Sequence, residues 1–217
     1  MNLTCVMISC RQRRSAQQAT AEQFEALGIP VKIFESPCNP ASRLGNGYVS
    51  RAALGYGIAR PDPVLFIEDD IDLADDFLAF LQMALDAALS SEAVTYLYLN
   101  EQLQGRATLV YGRELAGQIY GGDAIRRQLA KANIYEGLYG TQCVLLPRSV
   151  AVGAFHLLAQ PKGPLDGTLI DLYLRRQPPA FVAVPNPVQH RNVRIARDHH
   201  GIEKRSYSYD CPRQEEA

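Results

Sequence analysis

Over the first hundred residues, short apolar runs alternate with longer stretches of helical periodicity. Residues 3–9 form a compact apolar run rich in β-formers and read as a buried strand. Residues 15–27 have helix-compatible composition, with Ser15 as a candidate N-cap and Gly28 just past the end. Residues 30–35 read as a second strand. Residues 39–47 read as a loop by their Pro, Ser, Asn and Gly content. A helix is expected over 49–59, weakened by Gly55 and Gly57. The continuous apolar run Val64-Leu65-Phe66-Ile67 then leads directly into Glu68-Asp69-Asp70. A helix over 75–89 follows, with Phe77, Leu78, Leu81, Leu85 and Leu89 as its apolar stripe. Residues 93–99 complete a strand–helix alternation that predicts an α/β domain with a mostly parallel sheet.

The second half is less regular. Strands are expected over 108–111, 140–146 and 181–184, and helices over 123–132, 148–158 and 168–176. The stretch 112–122 holds four glycines and reads as loop, as does the Pro185-Asn186-Pro187-Val188-Gln189-His190 segment. No internal repeat or low-complexity linker divides the chain. One domain over 1–200 is therefore expected, with a polar tail over 201–217.

Composition narrows the class. The chain has 217 residues, 47% hydrophobic and 21% charged, which is ordinary for a globular domain with its own core. A formal net charge of -1 gives no general attraction to nucleic acid or anionic membrane. The five cysteines include no CxxC pair, which argues against a zinc ribbon or a disulfide framework. Cys5 and Cys143 lie in apolar runs and are expected in the core. The amino-terminal run lacks a preceding positive segment and reads as a strand rather than a signal peptide. No stretch approaches the ~20 apolar residues of a membrane span, so a cytoplasmic location is expected.

The candidate chemistry centres on Glu68-Asp69-Asp70. Ligands of open α/β sheets bind beyond the carboxyl ends of the strands, and this triplet closes such a strand. Adjacent carboxylates repel one another, and a bound cation reduces that cost. Hard ions such as Mg²⁺ and Mn²⁺ take oxygen ligands and complete their shells with phosphate and water. The competing reading is a solvated acidic turn with Asp72 or Asp75 capping the next helix. Arg11, Arg13 and Arg14 follow the first strand, where they could meet phosphates or a base edge. Arg43, Arg51, Arg191 and Arg194 are weaker candidates for that task. Asp166 lies in a Gly/Pro-framed segment before a helix, as either a base or an ordinary N-cap.

The string VLFIEDDIDL resembles the opening strand of response-regulator receiver domains. Those domains need a second strand ending in Asp and a later strand bearing Lys. Here residues 93–99 end in Asn100-Glu101 and the 108–111 strand carries no Asp. A different resemblance covers about residues 45–190. Phe66-Ile67-Glu68-Asp69-Asp70 is similar to an apolar strand leading into an EDD variant of the DxD motif. Tyr139-Gly140-Thr141-Gln142-Cys143-Val144-Leu145-Leu146 is similar to a GTxxYLIS-like strand. Pro164-Leu165-Asp166 and Pro185-Asn186-Pro187-Val188-Gln189-His190 follow in the matching order. With these motifs the chain resembles GT-A fold glycosyltransferases, in particular the lipopolysaccharide-type family 25. It departs from that family at Ser50-Arg51, where a Ser-His pair is usual, and in its short length.

The resemblance implies a GT-A-like, Rossmann-like mixed sheet and a metal-dependent transfer of a sugar from a nucleotide-diphosphate donor, a UDP-sugar, to a hydroxyl acceptor. It implies Asp70 and His190 as ligands of Mn²⁺ or Mg²⁺, and Glu68 and Asp69 beside the metal, its waters or the ribose. Arg11, Arg13 and Arg14 would contact the nucleotide, Asp166 would be the catalytic carboxylate, and Tyr120, Tyr135 or Tyr139 would stack on sugar faces. The acceptor would be a glycan or another hydroxyl-bearing molecule. The basic stretch 191–205 leaves room for a hydroxylated DNA base instead. The other readings are a sugar nucleotidyltransferase and a non-catalytic carbohydrate-binding module. The glycine-rich loop of the nucleotidyltransferases is absent from Ser9-Cys10-Arg11-Gln12-Arg13-Arg14.

Overall fold

The computed structural model describes residues 2–10, 13–36, 43–98, 128–131, 141–160, 165–176, 178–184 and 186–191. Strand β1 (Thr4–Cys10) leads into helix α1 (Arg14–Ala26), β2 (Val31–Ser36), α2 (Arg43–Ile58) and β3 (Val64–Glu68). A short strand β4 (Ile71–Leu73) precedes α3 (Phe77–Ser91) and β5 (Val94–Tyr96). The later elements are β6 (Gln128–Lys131), β7 (Cys143–Leu146), α4 (Arg148–Leu157), α5 (Leu165–Arg176), β8 (Ala180–Val184) and β9 (Val188–His190).

Seven strands form one sheet in the order β2-β1-β3-β7-β5-β8-β6, and β4 pairs with β9 in a separate ribbon. β1, β2, β3, β5 and β8 share one direction, while β7 and β6 run against them. The sheet is therefore mixed but mostly parallel, flanked by helices in a single domain, as the sequence pattern requires. Residues of β1 alternate between its two faces. Val6 and Ile8 pack with α2, α4 and α5, whereas Cys5 and Met7 pack with α1 and α3. Both faces are covered, which explains why β3 reads as an unbroken apolar run.

Local chemistry sets the helix ends. At the end of α1, Gly28 adopts φ +71°, its N–H donates to the Glu25 carbonyl (2.8 Å), and the Ile29 N–H donates to that of Phe24 (2.9 Å). This is a Schellman closure, with buried Phe24 and Ile29 at its two ends. Arg148, the first residue of α4, donates to the Ile58 and Arg60 carbonyls at 3.1 and 3.0 Å, satisfying the carboxyl end of α2.

Four expectations are corrected. Helix α2 begins at Arg43, inside the segment expected as loop. Residues 128–131 form a strand on the edge of the sheet, antiparallel to β8, where a basic helix was expected over 123–132. The proline-rich segment expected as loop contains β9, which pairs with the short strand β4. Helix α5 begins at Leu165 rather than at residue 168, because Leu165, Leu169 and Leu172 form one buried stripe. Expected elements within 99–127 and 132–140, and the tail 201–217, lie outside the described residues.

Candidate functional site

Neighbouring strands β1 and β3 send the chain in opposite directions along the sheet. β1 leads through α1 to β2 at one edge, whereas β3 leads through β4 and α3 to β5 beyond β7. Crevices at such reversals, beyond the carboxyl ends of the strands, are the usual ligand positions of open α/β sheets. Ser9, Arg13 and Glu68-Asp69-Asp70 all gather there.

The register explains the assembly. Ile8 is the partner of Glu68, so the next residues, Ser9 and Asp69, face each other just past the ladder. The Ser9 hydroxyl donates to Asp69 Oδ2 at 2.7 Å. The Arg13 guanidinium, at the start of α1, lies 3.1 Å from Asp69 Oδ1 and also bonds Asp70 Oδ2. Asp69 and Asp70 are 0% and 2% exposed, so they are a buried carboxylate pair and not a solvated turn. Burial makes an ionised carboxylate costly unless it is paired, and the Arg13 bridge provides that pairing. Asp72 is not a helix cap. It sits in β4 and pairs with Arg191, whose Nε donates to Asp72 Oδ1 at 2.6 Å.

The backbone of the triplet is gripped from three sides. The Glu68 N–H donates to the Gln142 carbonyl at 2.9 Å, and the Arg191 N–H donates to that of Asp70 at 2.6 Å. The hydroxyl of Thr20, on the buried stripe Ala16-Thr20-Phe24 of α1, lies 3.0 Å from the Asp69 carbonyl and 3.1 Å from that of Ile71. Arg191 Nη1 reaches back to the Ala16 carbonyl at 3.3 Å. The Gln23 side chain accepts from the Leu73 N–H (2.8 Å) and donates to Asp72 Oδ1 (3.3 Å). One helix and one distant strand thereby fix the turn that bears the carboxylates.

The remaining candidates fall into three groups. His190 belongs to β9, where its Cα partner is Ile71, so its backbone adjoins the residue after Asp70. Asp166 is the second residue of α5. Helix α5 passes into β8, whose first residues pair with the start of β5, so its amino end is directed toward the carboxyl edge of the sheet. The side chains of His190, Asp166 and Arg43, and all of Arg11, Tyr120, Tyr135, Tyr139 and Arg194, lie outside the described residues. Arg14 is exposed, on the first turn of α1. Arg51 is taken up elsewhere, its guanidinium 4.5 Å from the Phe155 ring centre.

Ser9 and Thr20 hold the triplet and had no role assigned from the sequence, while Thr141 and Gln142 adjoin Glu68 and lie in the GTxxYLIS-like stretch, also without an assigned role. Ser9 carried a usable signal, as the polar residue ending the strand beside β3. Thr20 carried only a weak one, a hydroxyl on an otherwise apolar helix stripe. Among the described residues, no three His, Cys, Asp or Glu side chains are grouped so as to hold a metal ion. Among the same residues, no helix is long and apolar enough to cross a membrane.

Fold and site together define a mixed α/β protein with an arginine-braced, buried acidic pair at the reversal of its sheet. No family profile matches the chain, and no curated protein does. Among solved structures, a glycosyltransferase involved in the glycosylation of the major capsid of PBCV-1 is similar over 82% of this chain and 81% of that one, with TM-score 0.43 and 9% sequence identity. So loose an overlap assigns no activity, and the functional reading rests on the site.

Proposed function

We propose that the chain is a metal-dependent glycosyltransferase that takes a sugar from a nucleotide-diphosphate donor, with a UDP-sugar as the donor and Asp70 at the centre of its metal site. The observation that supports this reading is the buried Asp69–Asp70 pair at the reversal of the sheet, beside the cationic start of α1. Carboxylate oxygens are the donors a hard divalent cation takes, and here the ion would share them with Arg13 and Ser9. They lie on consecutive residues, with the phosphates of a ligand left to complete the shell. Asp70 and His190 would hold the ion, and Glu68 and Asp69 would contact its waters or the ribose. When bound, the ion would neutralise charge on the departing diphosphate.

The chain's own residues would do the rest. Arg13, beside the carboxylates, would offer positive charge to a pyrophosphate, and Arg11 and Arg14 would contact the nucleotide. Ser9, Thr20 and Arg191 hold the carboxylates in place before the ligand arrives. In an inverting reaction, Asp166 would accept the proton of the acceptor hydroxyl as its oxygen bonds the anomeric carbon. The bond from that carbon to the diphosphate breaks, and the nucleoside diphosphate leaves with the electron pair.

The test is release of UDP from a panel of UDP-sugars in the presence of Mn²⁺ and mixed glycan acceptors. Turnover is expected to be lost with EDTA and to fall about 100-fold or more in Asp166→Asn, as for loss of a general base. Turnover indifferent to EDTA would overturn the metal role. Full turnover in Asp166→Asn would remove that residue as the base.

A further inference from the structure

We propose that Gln142 and Glu68 form a subsite that reads a hydroxyl group of the donor's sugar. This rests on the glycosyltransferase reading and specifies where the sugar, as distinct from the nucleotide, is recognised.

Strand β7 runs antiparallel to β3, with Ile67 opposite Cys143. The next pair is Glu68 and Gln142, joined by the 2.9 Å bond from the Glu68 N–H to the Gln142 carbonyl. Directly opposed residues project from the same face of a sheet, so the two side chains stand together at the carboxyl edge. Thr141 steadies the pair, its hydroxyl donating to Glu68 Oε1 at 3.4 Å. Gln142 is only 7% exposed, and its side-chain oxygen has no hydrogen-bond partner among the described residues.

A buried acceptor without a donor costs about 1–3 kcal/mol. Folding gains nothing from that arrangement, whereas a ligand bringing a donor does. Position separates Gln142 from other buried polar atoms that lack a partner. Thr4 Oγ1 lies at the amino end of β1, Thr95 Oγ1 within β5, and Arg51 Nε against the Phe155 ring. Gln142 instead adjoins the acidic triplet, one strand over from Asp69 and Asp70. The Gln142 carboxamide oxygen and the Glu68 carboxylate both accept hydrogen bonds. Their complement is a group rich in donors, and the hydroxyls of a hexose supply them.

The experiment is calorimetric titration of UDP, UDP-glucose, UDP-galactose and UDP-N-acetylglucosamine, with Mn²⁺, into wild type and Gln142→Leu, with Gln142→Met as a second variant. Melting temperatures of the unliganded proteins are recorded alongside. Wild type is expected to bind at least one UDP-sugar more tightly than UDP. Both variants should lose that margin, about 3- to 10-fold, while binding UDP as before. Their unliganded melting temperatures should stay level or rise, because an orphaned acceptor has been removed. A merely structural glutamine would give the opposite, a lower melting temperature with the sugar margin intact, and would overturn the proposal. Equal binding of UDP and all three UDP-sugars by wild type would overturn it too, leaving the nucleotide site standing. Failure of wild type to bind UDP at all would remove the glycosyltransferase reading and this subsite together.

Discussion

Arg13 and Arg14 carry the same charge on consecutive residues but occupy opposite environments. The Arg13 side chain is 15% exposed and bridges two buried carboxylates, whereas Arg14 faces solvent. Removing one member of a buried ion pair leaves the other charge uncompensated, at a cost of about 3–5 kcal/mol. Arg13→Ala is therefore expected to lower unfolding stability by about 3 kcal/mol or more in urea titrations, and Arg14→Ala by less than about 0.5 kcal/mol. Equal effects would contradict the assigned pairing. The basic run was legible in the sequence as a group. Its division was not, because which arginine turns inward depends on where α1 starts relative to β3.

The thiols give a second prediction at the same scale. Burial pushes the Cys5 and Cys143 thiols well above their ordinary range, and the neighbouring Cys5 raises that of Cys143 further. The folded protein keeps these protons at a pH where the unfolded chain, with thiols near about 8.5, releases them. Stability is thus fully expressed below that value and lost as pH rises above it. Unfolding at pH 7, 9 and 10 should show this decline. It should be smaller in Cys5→Ala/Cys143→Ala when each protein is compared with its own pH 7 value. The core placement of both cysteines was readable from their apolar neighbours.

At the scale of elements, α2 lies unusually close to β3. A Cβ added at Gly57 would sit 2.7 Å from Val64 Cγ2 and 3.0 Å from Val64 Cγ1, with Val64 fully buried. Gly57→Ala is expected to destabilise by about 1–3 kcal/mol despite the better helix propensity of alanine. A rise in melting temperature would show that the contact relaxes freely. This glycine also shows why α2 was only partly legible. Propensity treats it as a weak point in the helix, whereas the sheet requires it there.

Other misreadings share that origin. Gln128-Leu129-Ala130-Lys131 favours a helix by composition, but pairing with β8 makes it a strand, since partners across the sheet outweigh local preference. β4 and β9 have three residues each and meet across more than a hundred positions, so neither leaves a periodic signal. The first three strands and α3 carried long, regular patterns, and these elements were legible.

At the scale of the whole molecule, the candidate site is assembled from both ends of the chain. β1 and α1 position Ser9, Arg13 and Thr20, the end of β3 carries the triplet, Gln142 immediately precedes β7, and β9 with the following Arg191 pairs beside them. The sequence marked the triplet because three adjacent carboxylates after an apolar strand are conspicuous. It could not show that Asp69 and Asp70 are buried, because that depends on α1 and β9 closing over them. This burial is what excludes a solvated turn.

The central claim is that Asp70 helps hold a divalent cation against a nucleotide diphosphate. Calorimetric titration of UDP into the protein with Mn²⁺ and with EDTA, for wild type and Asp70→Asn, tests it most directly. The account predicts binding by wild type only with Mn²⁺, and at least about tenfold weaker binding by Asp70→Asn, which is about 1.4 kcal/mol or more. Wild-type affinity that is the same in Mn²⁺ and EDTA, or an Asp70→Asn protein that binds UDP as wild type does, would contradict it.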